Sequence, residues 1–426
     1  MKLLGLVIGL TPLLWCGTSA AAETLDDAWR IALADNHHLQ AVVEQQRAAA
    51  QGVARAEATR LPQLTLSANY MRLDNPPTIQ GKLAGQDFRF GYWERSALYY
   101  SAYSTLPLYT SGRIPAAIAA ARAGENAAQR DTDSETQELK MAVAAALVDV
   151  LRAEHGIELA ESHLTSLAKH QRDVGNLKRQ GLVANTDVLA AEVSIADARQ
   201  QLTTARNRHD LASAAYNRLL ARPLDQPVAL AEPVVSVDGR DLAMLTASAL
   251  AQRSELAALR QRITALTHRA DSVRAAVRPQ VALGGGYGYQ ENSNQVNESA
   301  WAANVGMVWQ VFDGGASRHE SADLSHQAAA LQAQLDDLGT LVELQVRQAW
   351  LDYNATGERL AAATSAVAQG EENFTATGNL YREGMVSHSQ VLDAETLRLQ
   401  AYTNRLNATY DQMLAGLLLR RALGTL

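Results

Sequence analysis

The stretch RQGLVANTDVLAAE, beginning at Arg179, returns as REGMVSHSQVLDAE at Arg382, with seven of fourteen positions identical. The same offset of 203 residues aligns Tyr109 with Phe312, Gly112 with Gly315, Glu192 with Glu395 and Leu220 with Leu423, without a gap. Upstream the offset becomes 217, aligning Leu25 with Leu242, Ala32 with Ala249, Leu39 with Leu256 and Pro62 with Pro279. The first copy therefore carries 14 extra residues, in the stretch DNPPTIQGKLAGQDF, whose Pro, Gly and Asn content reads as a surface loop. The chain is a tandem duplication: one repeat over 23–221, a linker over 222–240 with three prolines, and a second repeat over 241–426. Whatever one copy folds into, the other must fold into as well.

Each copy reads as helix, strand, loop, strand, long helix, turn, helix. Residues 25–60 are rich in alanine and free of proline, which favours one helix ending at Pro62. From about 113 to 178 a second helical run carries a heptad. Val143, Val150, Ile157 and Leu164 form one seam, and Leu139, Ala146, Ala153, Ala160, Leu167 and Val174 form the other. The second copy keeps it with Val346, Tyr353, Leu360 and Val367. A strict seven-residue period implies left-handed supercoiling. Some 66 residues at ~1.5 Å each make a rod of about 100 Å. The helices at 25–60 and roughly 187–221 sum to a similar length and would stack end to end beside it.

Strands are expected at about 62–72, 97–109, 279–290 and 300–312. WAANVGMVWQV alternates, with Trp301, Ala303, Val305, Met307, Trp309 and Val311 on one face and Ala302, Asn304, Gly306, Val308 and Gln310 on the other. Trp301 and Trp309 lie about 27 Å apart along a strand, a spacing that suits the two aromatic girdles of an outer-membrane barrel. A solvated periplasmic sheet is the alternative. Four strands cannot close a barrel, and lipid does not tolerate an open edge. The membrane reading therefore requires several chains to pool their strands. The fold class is mainly α with a small β part.

The first 22 residues read as an export signal: Lys2, an apolar run from Leu3 to Trp15, and Ala20 and Ala22 before a cleavage at Glu23. Cys16, the only cysteine, lies inside it, and Trp15 is too large for a lipidation site. The exported chain would then have no disulfide and no thiolate chemistry. A net charge of −7 argues against a nucleic-acid partner. No nucleophile elbow, H-E-x-x-H or Walker loop is present, so no catalytic residue, cofactor or metal site is expected. His37 and His38 are adjacent and point apart on a helix. His155, His163 and His170 share roughly one helical face, which reads as solvated, as do Glu192 and Glu395.

This layout resembles the outer membrane efflux protein family, the TolC-like channels of tripartite export systems. GLVANTDV and YREGMVSHSQVLDAE resemble that family's helix-hairpin tips, and LYTSGR and VFDGGASR its strand-to-helix turns. The resemblance implies a homotrimer with a 12-stranded barrel in the outer membrane and a 12-helix barrel crossing the periplasm. It also implies a periplasmic adaptor and an inner-membrane transporter as partners. The function it implies is a passive exit duct gated at the tips. A periplasmic or surface structural coiled coil without a channel is the competing reading.

Each repeated phrase is then a tip. Gly181 and Gly384 suit the left-handed position that ends a helix. Asn185 or Thr186 would cap the next helix in the first copy, and Ser387 with Gln390 forms a capping box in the second. The resemblance places adaptor contact at Gly181, Leu182 and Val183 and at Gly384, Met385 and Val386. These apolar residues serve either as docking knobs or as staples of the turn. It pairs Tyr381 with Asp187 as a gate tie. Thr186 matches the acceptor of a second tie whose arginine donor is here Val386. Asp393 matches the inner of two aspartates ringing the mouth, and the outer one is here Gln390. A gate with fewer links and a ring of three carboxylates follows from that pattern.

Overall fold

The computed structural model describes residues 22–235, 239 and 241–426. The expected export signal falls outside them except for Ala22, and Cys16 lies outside as well. In chain order the elements are α1 (Leu25–Asp35), α2 (His37–Ala58), β1 (Gln63–Arg72), β2 (Thr78–Leu83), β3 (Gln86–Gly91), β4 (Ser96–Tyr109), α3 (Arg113–Arg179) and α4 (Asn185–Leu219). The second half continues with α5 (Leu242–Gln252), α6 (Ser254–Ala276), β5 (Gln280–Gln290), β6 (Ser299–Val308), α7 (Ala316–Arg382) and α8 (His388–Leu423). The chain is mostly helical, and its two longest helices are α3 and α7, of 67 residues each. Each is therefore about 100 Å long.

The helix expected over 25–60 is two helices. Asn36 leaves helical geometry at φ −64° and ψ 119°, and its side chain caps α2 by accepting from the N–H groups of His38 and Leu39. Its Nδ2 also donates to the carbonyl of Leu219 at the end of α4, 2.9 Å away. Alanine propensity alone would continue the helix, and a side chain that satisfies three backbone groups outweighs it. The second copy repeats the elbow with Arg253 (φ −62°, ψ 121°), which donates to the carbonyl of Ala422 at the end of α8.

In the half of the rod nearer the sheet, α3 lies beside α2 and α6. Beyond the middle it lies beside α4 and α8, and α7 flanks α6 and then α8. Two short helices thus stack end to end along each long one. The main core sits at the middle, where Ala28, Ala32, Val143, Leu147, Val150, Leu151, Tyr216, Leu220 and Tyr410 are buried together. Val143 and Val150 are the heptad positions read from the sequence. A matching cluster of the second copy gathers Leu245, Ala249, Leu256, Val342, Val346, Leu419 and Leu423.

The four long strands form one antiparallel sheet in the order β1-β4-β5-β6. Register aligns Leu66, Ala102, Tyr287 and Trp301 in one row across it, and Thr65, Tyr103, Gly286 and Ala302 in the row beneath. One face accordingly carries Leu64, Leu66, Tyr70, Tyr100, Leu283, Tyr287, Trp301, Val305 and Met307. The other carries Thr65, Ser67, Asn69, Tyr103, Asn304 and Gly284, Gly286 and Gly288 of β5. The apolar face has no cover among the described residues: Leu66 is 74%, Trp301 82% and Met307 64% exposed. Both edge strands, β1 and β6, have one side unpaired among the described residues. Strand β6 ends at Val308, so Trp309 follows it by one residue, 55% exposed.

The stretch expected to be an irregular loop between the first two strands contains a hairpin, β2–β3. Ala84 (φ 50°) and Gly85 (φ 83°) form its two-residue turn, with the double left-handed geometry that matches strand twist. The turn is hard to read in the sequence because alanine is an uncommon occupant of its first position. No helix among the described residues is long and apolar enough to cross a membrane.

Candidate functional site at the helix tips and the sheet

Both tips close by the same backbone device. The N–H of Leu182 donates to the carbonyl of Leu177, and that of Gly181 to Lys178, each at 3.0 Å. Met385 donates to Leu380 at 2.9 Å and Gly384 to Tyr381 at 3.0 Å. This paired pattern needs a left-handed residue at its centre, and Gly181 and Gly384 both sit at φ 75°. Ser387 and Gln390 form the expected capping box on α8. In the first copy Ala184 is the N-cap and contributes no side-chain bond. Asn185 and Thr186 lie inside the first turn, so neither caps.

The apolar tip residues divide between the two roles. Leu182 and Met385 project into solvent, 68% and 61% exposed. Val183 and Val386 turn inward, packing with Leu177, Val188 and Phe374 around a core of Val174, Tyr381 and Val391. One small core therefore serves both tips, drawing on α3, α4, α7 and α8. Tyr381 is 6% exposed, and its hydroxyl has no hydrogen-bond partner among the described residues. Burial, then the charges of Asp187 and Asp173, raise its pKa. Asp187 is half-buried near it, and Thr186 is exposed. Asp393 is exposed, and the side chain of Gln390 accepts from the N–H of Ser387 at 2.8 Å.

The histidine stripe expected to face solvent instead faces α8. His155 Nδ1 lies 2.9 Å from the hydroxyl of Tyr410. His163 is buried, with Nδ1 2.9 Å from Oε1 of Glu395. His170 Nε2 lies 2.9 Å from Nδ1 of His388. Glu395, expected on a solvated surface, is 2% exposed and is held by His163 and by Arg398, which also reaches Glu371. Burial raises its carboxyl pKa, but the hydrogen bonds from His163 and Arg398 outweigh that and hold it below the usual range. Sequence spacing put these histidines on one face of α3. Only the pairing of α3 with α8 shows that this face is an interhelical contact.

On the polar face of the sheet, Tyr103 lies across β5 and donates to Oδ1 of Asn304 at 2.7 Å. The glycines of GGGYGYQ make that possible: a Cβ on Gly284 would stand 2.0 Å from the Tyr103 hydroxyl, and one on Gly286 2.2 Å from the carbonyl of Ala102. The apolar face carries Tyr100 stacked on Tyr289, with centroids 4.5 Å apart, and Tyr287 against Trp301 at 5.3 Å.

A rod of paired helices joined to an edge-open sheet with one apolar face is the architecture of an outer-membrane channel protomer. The solved structure of the outer-membrane channel OprN has this fold, with a TM-score of 0.79 at 22% identity, covering 94% of this chain and 89% of that one. The sequence places the chain further. It matches the outer membrane efflux protein family over residues 29–222 and 245–425 and belongs to that family. Among its relatives, the alkaline protease secretion protein AprF of Pseudomonas aeruginosa is 26% identical over 96% of this chain and 85% of its own. The outer membrane protein TolC of Vibrio cholerae is 26% identical over 95% of this chain and 91% of its own.

Proposed function

We infer that the chain is the outer-membrane exit duct of a tripartite export system, conducting substrate passively across periplasm and outer membrane. The sheet carries this reading. Among the described residues its apolar face is bare, its other face is mostly small and polar, and both edges are unpaired. Unpaired edges in hydrocarbon cost several kcal/mol per group, so the strands must close against other copies. Three copies give twelve strands, and α3, α7 and the end-to-end pairs α2–α4 and α6–α8, counted as one rod each, give twelve helical rods around one pore. The homotrimer sits in outer-membrane lipid after export by a cleaved signal peptide.

The tips form the periplasmic mouth. Leu182 and Met385, exposed and without a core of their own, are the knobs for a periplasmic adaptor, which links the duct to an inner-membrane transporter. Val183 and Val386 shape the turns beneath them, and Gly181 and Gly384 set their angle. Tyr381, Asp187 and Thr186 belong to the gate, with the buried Tyr381 hydroxyl available for Asp187 when the tips shift. Asp393 supplies one carboxylate per chain to the constriction. Gln390 serves the α8 cap and adds no charge. Clustered carboxylates at a narrow mouth favour cations.

Single-channel current in a planar bilayer tests the duct. Purified protein should give small, cation-selective steps, and Asp393→Ala should weaken the selectivity. Met307→Arg puts a charge on the lipid face and should block outer-membrane assembly, at a cost of about 2–4 kcal/mol at mid-membrane depth. Tolerance of Met307→Arg, with protein that extracts without detergent, would leave a periplasmic coiled coil.

A further inference from the structure

The lowest of the three α3–α8 histidine contacts lies at the tip itself. His388 opens α8, two residues after Val386, where the arginine of a second gate tie is missing. Its ring lies beside that of His170, with centroids 4.9 Å apart and planes 7° apart. His388 is 6% exposed, and its Nε2 has no partner among the described residues. The ring of Tyr381 packs against both, at 5.3 Å from His170 and 6.2 Å from His388. The turn itself does not demand histidine. The repeat offset places Asn185 opposite His388 and Asn373 opposite His170. The contact is thus peculiar to one of the two junctions, and it joins the hairpin of the first repeat to that of the second.

We propose that the His170–His388 contact is a proton-sensitive latch that holds each chain's two helical hairpins together at the periplasmic mouth. The proposal rests on the duct reading and adds a regulator to it. An N–H···N bond between imidazoles needs one donor and one acceptor, and a doubly protonated pair has donors only. The charged groups around the pair are Asp173 on α3, Asp187 on α4 and Glu395 on α8, with the Tyr381 phenol from α7. Burial, then the charge of His388, hold His170 down at about 4, against the pull of Asp173 and Glu395. Burial also lowers His388, against Asp187.

The latched pKa lies below that of a freed imidazole, so protons favour release. The latch is intact above ~6.5 and is lost progressively as pH falls toward 4. Between pH 7 and pH 5 the ratio of released to latched tips rises about twentyfold. Asp173 and Asp187 then stand ready to pair with the imidazolium groups. An acidic periplasm would loosen the mouth without any change in the adaptor.

Single-channel records of the full chain at pH 7, 6 and 5 on the tip side test this, comparing wild type with His170→Gln, His388→Asn and the double variant. Asparagine is the residue the first repeat carries at the place of His388, so the turn should fold. The wild-type ratio of open to closed time should rise about twentyfold from pH 7 to pH 5, and the variants should respond less than twofold. Variants that keep the full acid response, or a wild type whose steps ignore pH, overturn the latch and leave the duct standing. Absence of steps in every protein at every pH refutes the duct, and the latch with it.

Discussion

Gly181 and Gly384 occupy the same left-handed geometry two hundred residues apart, and each tip depends on that single angle. Nothing among the described residues crowds either position, so the cost of a side chain there is backbone strain. Gly384→Ala should destabilise its tip by about 1 kcal/mol, as should Gly181→Ala. Amide exchange at Leu182 and Met385 should then speed up several-fold while the mid-rod core stays protected. These glycines were legible in the sequence because a left-handed helix end is a local demand. Glu395 was not, since its burial depends on His163 of another helix, 232 residues earlier. Glu395→Ala would leave Arg398 with Glu371 as its remaining carboxylate and His163 without its acceptor, which costs about 1–3 kcal/mol. The depressed carboxyl also gives a sign for pH. Its contribution is present above the unfolded carboxylate range and is lost as pH falls below ~4.5. Acid melting of the tip region should show that loss in wild type and lack it in Glu395→Gln.

The strands were legible by alternation, and the glycine run of β5 was visible without its reason. That reason is Tyr103, whose ring needs a flat bed on the neighbouring strand. The glycines are not equivalent in this respect. At Gly286 a Cβ would meet the Ala102 carbonyl at 2.2 Å and the Tyr103 Cα at 2.8 Å, whereas at Gly288 it meets nothing within 4 Å. Gly286→Val should therefore force β4 and β5 apart and block the assembly proposed for these strands in the outer membrane. Gly288→Val should assemble as wild type. Equal behaviour of the two variants on a gel of unheated membranes would refute this account of the glycines. The helix breaks were harder to read. Asn36 carries a cap signal, but its counterpart Arg253 does not, and in both the decisive partner is a carbonyl at the far end of another helix.

At the scale of the molecule, the duplication makes length a shared property. Helices α3 and α7 have 67 residues each, and α4 and α8 have 35 and 36, so both tips end at one level. The tip core requires this, because Val174, Leu177 and Val183 of one hairpin pack against Phe374, Tyr381 and Val391 of the other. Removing one heptad from α3 and α4 alone would lift the first tip by about 10 Å and strip that core of half its members. Removing matched heptads from α3, α4, α7 and α8 below the middle core would lift both tips together and preserve every heptad contact. The matched deletion should still insert in membranes and conduct. The unmatched one should insert too, since the sheet is untouched, but its tips should be open to protease and its resting conductance raised. Export in cells should fail for both, because an adaptor sized for the full rod would meet the mouth about 10 Å too far away. A matched deletion that still exports would show that the adaptor, and not the rod, sets the span.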